Sequence, residues 1–125
     1  MTDLNPNWPL LDKTLAHIEA NPEQHVQWFY RCRTGMCFAG WAVELDGGKW
    51  YSNDPSLYCA DLLVTNEEDP PEDCGSFDGT RVIDVADRAR RILGLDAEAA
   101  SDLFAATNTI DDIKMILDEL REVAP

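Results

Sequence analysis

The last third of the chain leaves few folds open. Val82, Val85, Ala86, Ala89, Ile92 and Leu93 recur at helical spacing, and Gly94 follows them. Asp96 then precedes Ala99, Ala100, Leu103 and Phe104, and Thr109 precedes Ile110, Ile113, Ile116, Leu117 and Leu120. A glycine after the last apolar position supplies a left-handed stop, and Asp or Thr ahead of the first can cap free N–H groups. The pattern predicts three consecutive helices, each with one apolar face to bury.

Upstream, Asn7-Trp8-Pro9 opens a stripe of Leu10, Leu11, Thr14, Leu15 and Ile18 that ends at Asn21-Pro22, the signature of a first helix. The aromatic run from His25 to Arg31 lacks helical period and reads as extended chain. Thr34 is placed to cap a helix from about Gly35 to Leu45, with Asp46-Gly47-Gly48 as its exit turn, which would put Cys37 in the first turn. Lys49–Ser52 and Tyr58–Thr65 suit short strands around a turn at Asn53–Ser56. Residues 66–79 hold two prolines, two glycines and six carboxylates, and the expectation there is a solvated loop without regular structure. The fold class expected is α+β: a helix-dominated single domain over residues 1–125, with about five helices, a small β-hairpin and a long acidic loop.

Charge narrows the function. The 125 residues carry a net charge of -14, most of it beyond residue 60, yet 45% are hydrophobic and four are Trp, so acidity does not signal disorder. Binding to DNA or RNA needs a cationic face, whereas Arg88, Arg90 and Arg91 sit among Asp84, Asp87 and Asp96. Anionic membranes are disfavoured for the same reason. No apolar run approaches the ~20 residues of a membrane span, and the start lacks a signal-peptide pattern, so a cytoplasmic protein is expected. In a reducing compartment Cys32, Cys37, Cys59 and Cys74 are expected as thiols or metal ligands rather than disulfides.

Each chemical motif has a structural competitor. A cysteine in a helix's first turn can be activated by the free N–H groups and the helix dipole, which makes Cys37 the centre of an alternative reading as a thiol-dependent or zinc-containing enzyme. The base is missing: His17 and His25 both lie upstream, and the small residues Cys37, Ala39, Gly40 and Ala42 fit close helix packing equally well. A zinc site from the four cysteines has the right ligand count, but the paired intervals are four and fourteen residues, unlike the short knuckles of structural zinc sites. The carboxylates of 66–79 lack the alternating ligands and sixth-position glycine of an EF-hand, and Pro70-Pro71 stiffens the chain. Trp28, Phe29, Tyr30 and Trp41 read as packing rather than as a ligand cage. No cofactor, metal or catalytic set is therefore assigned. The site expected is a partner-binding one: Glu67, Glu68, Asp69, Glu72 and Asp73, with exposed aromatics such as Trp50 or Tyr51, facing a basic protein surface. Imitation of a phosphate backbone by the helical carboxylates together with this loop is a further option.

The box Cys32-x4-Cys37-Phe-Ala-Gly-Trp-Ala42, with Ala86 to Leu95 ending in Leu-Gly-Leu and then Ala100-x-x-Leu103-Phe104, resembles a group of small uncharacterised proteins of actinobacterial phages and their hosts. The resemblance covers roughly residues 10–120. It implies a cytoplasmic life and, for a phage-encoded chain, an accessory role in which the protein binds a host protein. It supplies no catalytic mechanism.

Overall fold

A computed structural model describes residues 4–27, 36–51 and 62–125. Among them are α1 (Trp8–Ala20), α2 (Phe38–Leu45), β1 (Leu62–Val64), β2 (Cys74–Phe77), β3 (Thr80–Asp84), α3 (Val85–Leu93), α4 (Ala97–Leu103) and α5 (Ile110–Val123). This is the helix-dominated α+β architecture the sequence predicts. Trp28, Phe29, Tyr30, Cys32, Thr34, Gly35, Cys59 and the turn at Asn53–Ser56 lie outside the described residues.

The helix ends follow the capping residues. Asn7 Oδ1 accepts from Leu10 N at 3.3 Å, and Asp96 Oδ1 accepts from Ala99 N at 2.8 Å. Thr109 and Asp112 form a reciprocal capping box, 3.1 Å from Asp112 N to the hydroxyl and 2.9 Å from Thr109 N to the carboxylate. At the end of α3, Gly94 takes φ 68° and Leu95 N donates to Arg90 O at 3.0 Å, a Schellman-type closure. The N-terminal segment crosses there: Asn5 N donates to Gly94 O at 2.8 Å and Asn7 N to Leu93 O at 2.9 Å.

α2 lies between α1 and α3 and buries Phe38, Ala39, Gly40, Ala42 and Val43. Its small residues allow the close packing foreseen for them. They join Leu11, Ile18, Leu63, Ile83, Leu93, Leu103 and Ile113 in one apolar cluster. α5 closes the other side and is tied to α1 by Trp8 Nε1, which donates to Ala124 O at 2.8 Å, and by Arg121, whose guanidinium lies 4.0 Å from the Trp8 ring centroid.

Three expectations need correction. Helix α2 starts at Phe38, and Cys37 is its N-cap instead of a first-turn residue. The cause is upstream: Met36 N donates to Gln24 O and Met36 O accepts from Val26 N, each at 2.9 Å, which holds the chain extended up to Cys37. Val82 belongs to strand β3, so α3 begins three residues later than its apolar stripe suggests. The segment 66–79 is not structureless: Pro71–Asp73 forms a 3-10 turn and β2 pairs with β3. The two-residue connection Asp78-Gly79 has φ 50° and 81°, both positive as a type I′ hairpin turn requires.

The sheet order is β1-β3-β2, all antiparallel. The expected pairing of the Trp50 region with the following strand is present as a bridge from Trp50 to Leu63, with Tyr51 N donating to Leu62 O at 3.0 Å.

Candidate functional site

Asn66 opens the acidic segment with a hydrogen-bonded turn. Its Oδ1 accepts from Glu68 N and Asp69 N, each at 3.0 Å, while Asp69 Oδ2 accepts from Asn66 N at 2.9 Å. This local exchange turns the Asp69 side chain inward. There it meets two arginines one helical turn apart on α3. Arg88 Nε donates to Asp69 Oδ1 at 2.7 Å and Arg88 Nη2 donates to Oδ2, a two-pronged pair. Arg91 Nη2 adds a bond to Oδ1 at 2.6 Å, and Arg88 Nη2 also reaches Val64 O at 3.2 Å. Asp69 and Arg88 are 7% and 2% exposed, so this network is interior. Burial pushes the Asp69 carboxyl up, but the bonds from Arg88, Asn66 N and Arg91 together outweigh it and hold the group below the ordinary carboxylate range.

Anchoring one carboxylate displays the others. Glu67, Glu68, Glu72, Asp73 and Asp78 are exposed. Asp84 and Asp87 extend the acidic surface over the start of α3. Partial burial, then the charges of Asp73 and Asp84, raise the pKa of Asp87, while Arg90 opposes the shift. The side chain of Glu68 stays 82% exposed despite lying 3.7 Å from Arg91.

Of the six residues expected to meet a partner, Glu67, Glu68, Glu72 and Asp73 are therefore on the surface, and Asp69 and Trp50 are not. Asp69 is the anchor. Trp50 is 5% exposed, bridges to Leu63 and donates from Nε1 to Glu44 Oε1 at 2.9 Å, because its register beside β1 turns the indole into the core. Among the described residues the exposed aromatic of this segment is Phe77, 55% exposed, with its ring 5.5 Å from that of Tyr51 at 82°. It was signalled by Phe77-Asp78-Gly79, an aromatic entering a hairpin turn.

No family model matches the chain, and neither the curated proteins nor the solved structures contain a match to it.

Cys37 is 2% exposed, and burial pushes its thiol up to about 11 against the opposing bonds from the backbone N–H groups of Gly40, Ala39 and Cys37. Its Sγ accepts from Gly40 N at 3.4 Å. A capping sulfur with that pKa is a poor nucleophile at neutral pH. Cys74 is half-buried and donates from Sγ to Pro70 O at 3.3 Å. Among the described residues no three His, Cys, Asp or Glu side chains converge in an arrangement that could hold a metal ion. Among those residues, too, no helix is long and apolar enough to cross a membrane.

Proposed function

We propose that this chain is a non-enzymatic, phage-type accessory protein that acts in the host cytoplasm by binding a basic surface on a host protein. Its binding face is the outward side of 66–79, continued by Asp84 and Asp87. The observation that supports this reading is the buried pairing of Asp69 with Arg88 and Arg91. It fixes the loop backbone before any partner arrives while Glu67, Glu68, Glu72 and Asp73 keep their charges in water. A loop already in its bound shape loses less entropy on association, and a single-sign surface speeds encounter with a cationic one.

The test is affinity capture from an actinobacterial lysate at low and high salt. The control is the quadruple variant Glu67→Gln, Glu68→Gln, Glu72→Gln and Asp73→Asn. Asp69 is left intact, since changing it would disturb the scaffold. One identified protein, retained by the native chain at low salt and lost with salt and with the variant, is the expected result. Equal retention by both chains would remove the acidic face from the account.

A further inference from the structure

A groove of about 730 Å³ lies between α4 and α5, away from the loop and sharing no residue with it. Its apolar lining includes Leu4, Ala99, Leu103, Ile116, Leu120 and Val123. On α5 the contributing positions 116, 119, 120 and 123 fall at i, i+3, i+4 and i+7, one continuous stripe. Asp96, Glu98, Asp102 and Glu119 also line the groove, and no Lys or Arg is among its lining residues. Val123 is 75% exposed, so the apolar stripe runs into solvent.

The groove is firmly built. Asn108 Nδ2 donates to Asp102 O at 2.8 Å and Leu103 O at 3.1 Å, and Gln27 Nε2 donates to Leu103 O at 3.2 Å and Ala105 O at 3.1 Å. The carbonyls that end α4 thus have partners within the fold. An extended peptide, which binds largely through backbone hydrogen bonds, finds no strand edge among the lining residues. A helix, whose own backbone bonds are internal, can offer side chains alone. Acidic groups beside an apolar stripe call for apolar side chains flanked by cations. A second copy of this chain, also at net -14, is repelled.

We propose that the α4–α5 groove is a docking site for a basic amphipathic helix of a partner protein, with its apolar stripe over Leu4, Ala99, Ile116 and Val123, above a floor of buried Leu103 and Leu120, and its Lys or Arg residues beside Glu98, Asp102 and Glu119. This goes beyond the acidic-loop reading and stands or falls separately.

The probe is a labelled lysine–leucine peptide with leucines at i, i+3, i+4 and i+7, compared by fluorescence anisotropy with a peptide of equal composition in strict alternation. The full chain should bind the helical-period peptide more tightly. The triple variant Glu98→Gln, Asp102→Asn and Glu119→Gln should weaken it at least about tenfold, and Val123→Ser should weaken it independently. The quadruple loop variant should weaken it less than the groove variants do. Thermal melts establish that each variant is folded, and amide shifts in the native chain should concentrate at Ala99, Leu103, Ile116, Leu120 and Val123. Equal affinity for both peptides, shifts elsewhere, or greater sensitivity to the loop variant than to the groove variants would overturn the proposal.

Discussion

Arg88 on α3 grips Asp69 across nineteen positions of sequence, with Nε 2.7 Å from Oδ1 and Nη2 on Oδ2, and both side chains are shielded from water. This pair converts a polar, proline-interrupted segment into a fixed one. Removing Arg88 strips the buried Asp69 carboxylate of its two-pronged partner and leaves it the bonds from Arg91 and Asn66 N alone. Arg88→Met should therefore cost about 3–5 kcal/mol in urea unfolding. The double change Arg88→Met with Asp69→Asn should recover part of the loss, because no buried carboxylate then lacks its main partner. A loss below about 1 kcal/mol for Arg88→Met would show that the network adds nothing beyond a surface pair.

The pH dependence should carry two opposite signatures. Asp69 is held below its ordinary pKa of about 3.9, so its contribution is fully present above that value and disappears as pH falls through the depressed folded pKa. Asp87 is shifted up by burial and by Asp73 and Asp84, so it favours the folded state below its ordinary value and loses that advantage as pH rises through its raised pKa. Asp87→Asn should accordingly stabilise the protein at neutral pH, and Asp69→Asn should flatten the acid limb. Denaturant midpoints across the acid range, measured for the native chain and both variants, check the two signs.

Cys37 should resist alkylation. With its thiol pushed up to about 11 and its sulfur capping α2, almost no thiolate forms at neutral pH. Iodoacetamide followed by mass spectrometry should label Cys74 before Cys37, and Cys37 only on unfolding. Fast labelling of Cys37 in the folded protein at neutral pH would contradict its placement and reopen a thiol chemistry.

Gly94 should be intolerant of any side chain. A Cβ there would stand 1.9 Å from Asn5 O, and φ is already 68°, in the left-handed region. The left-handed backbone alone costs about 1–2 kcal/mol for an L-residue. Gly94→Ala should exceed that figure and free the N-terminal segment, seen as faster amide exchange at Asn5 and Asn7. A variant as stable as the native protein would show that the crossing is not fixed.

The helical part of the fold was legible because its signals are local. Asn7, Asp96 and Thr109 cap as their side-chain oxygens predict, and Gly94 stops α3. The errors arose where distant residues decide. Thr80 to Asp84 pair with two strands, which overrides the helical period that Val82 shares with Val85. Met36 is claimed by Gln24 and Val26, which moves the start of α2. Asp78-Gly79 is a readable hairpin signal, but the surrounding carboxylates masked it. At the candidate site the acidic segment itself was readable and its inward-turned member was not. Locally only the Asn66–Asp69 exchange sets Asp69 apart from Glu67, Glu68 and Glu72, and the arginines that bury it lie on another element.

If the outward acids of 66–79 drive binding, ionic strength controls it. Once a partner has been captured and identified, its association rate should be measured against salt for the native chain and for the quadruple loop variant. For the native chain the rate should fall steeply as salt rises, and for the variant it should be lower and nearly flat. Identical salt slopes for the two proteins would contradict the account.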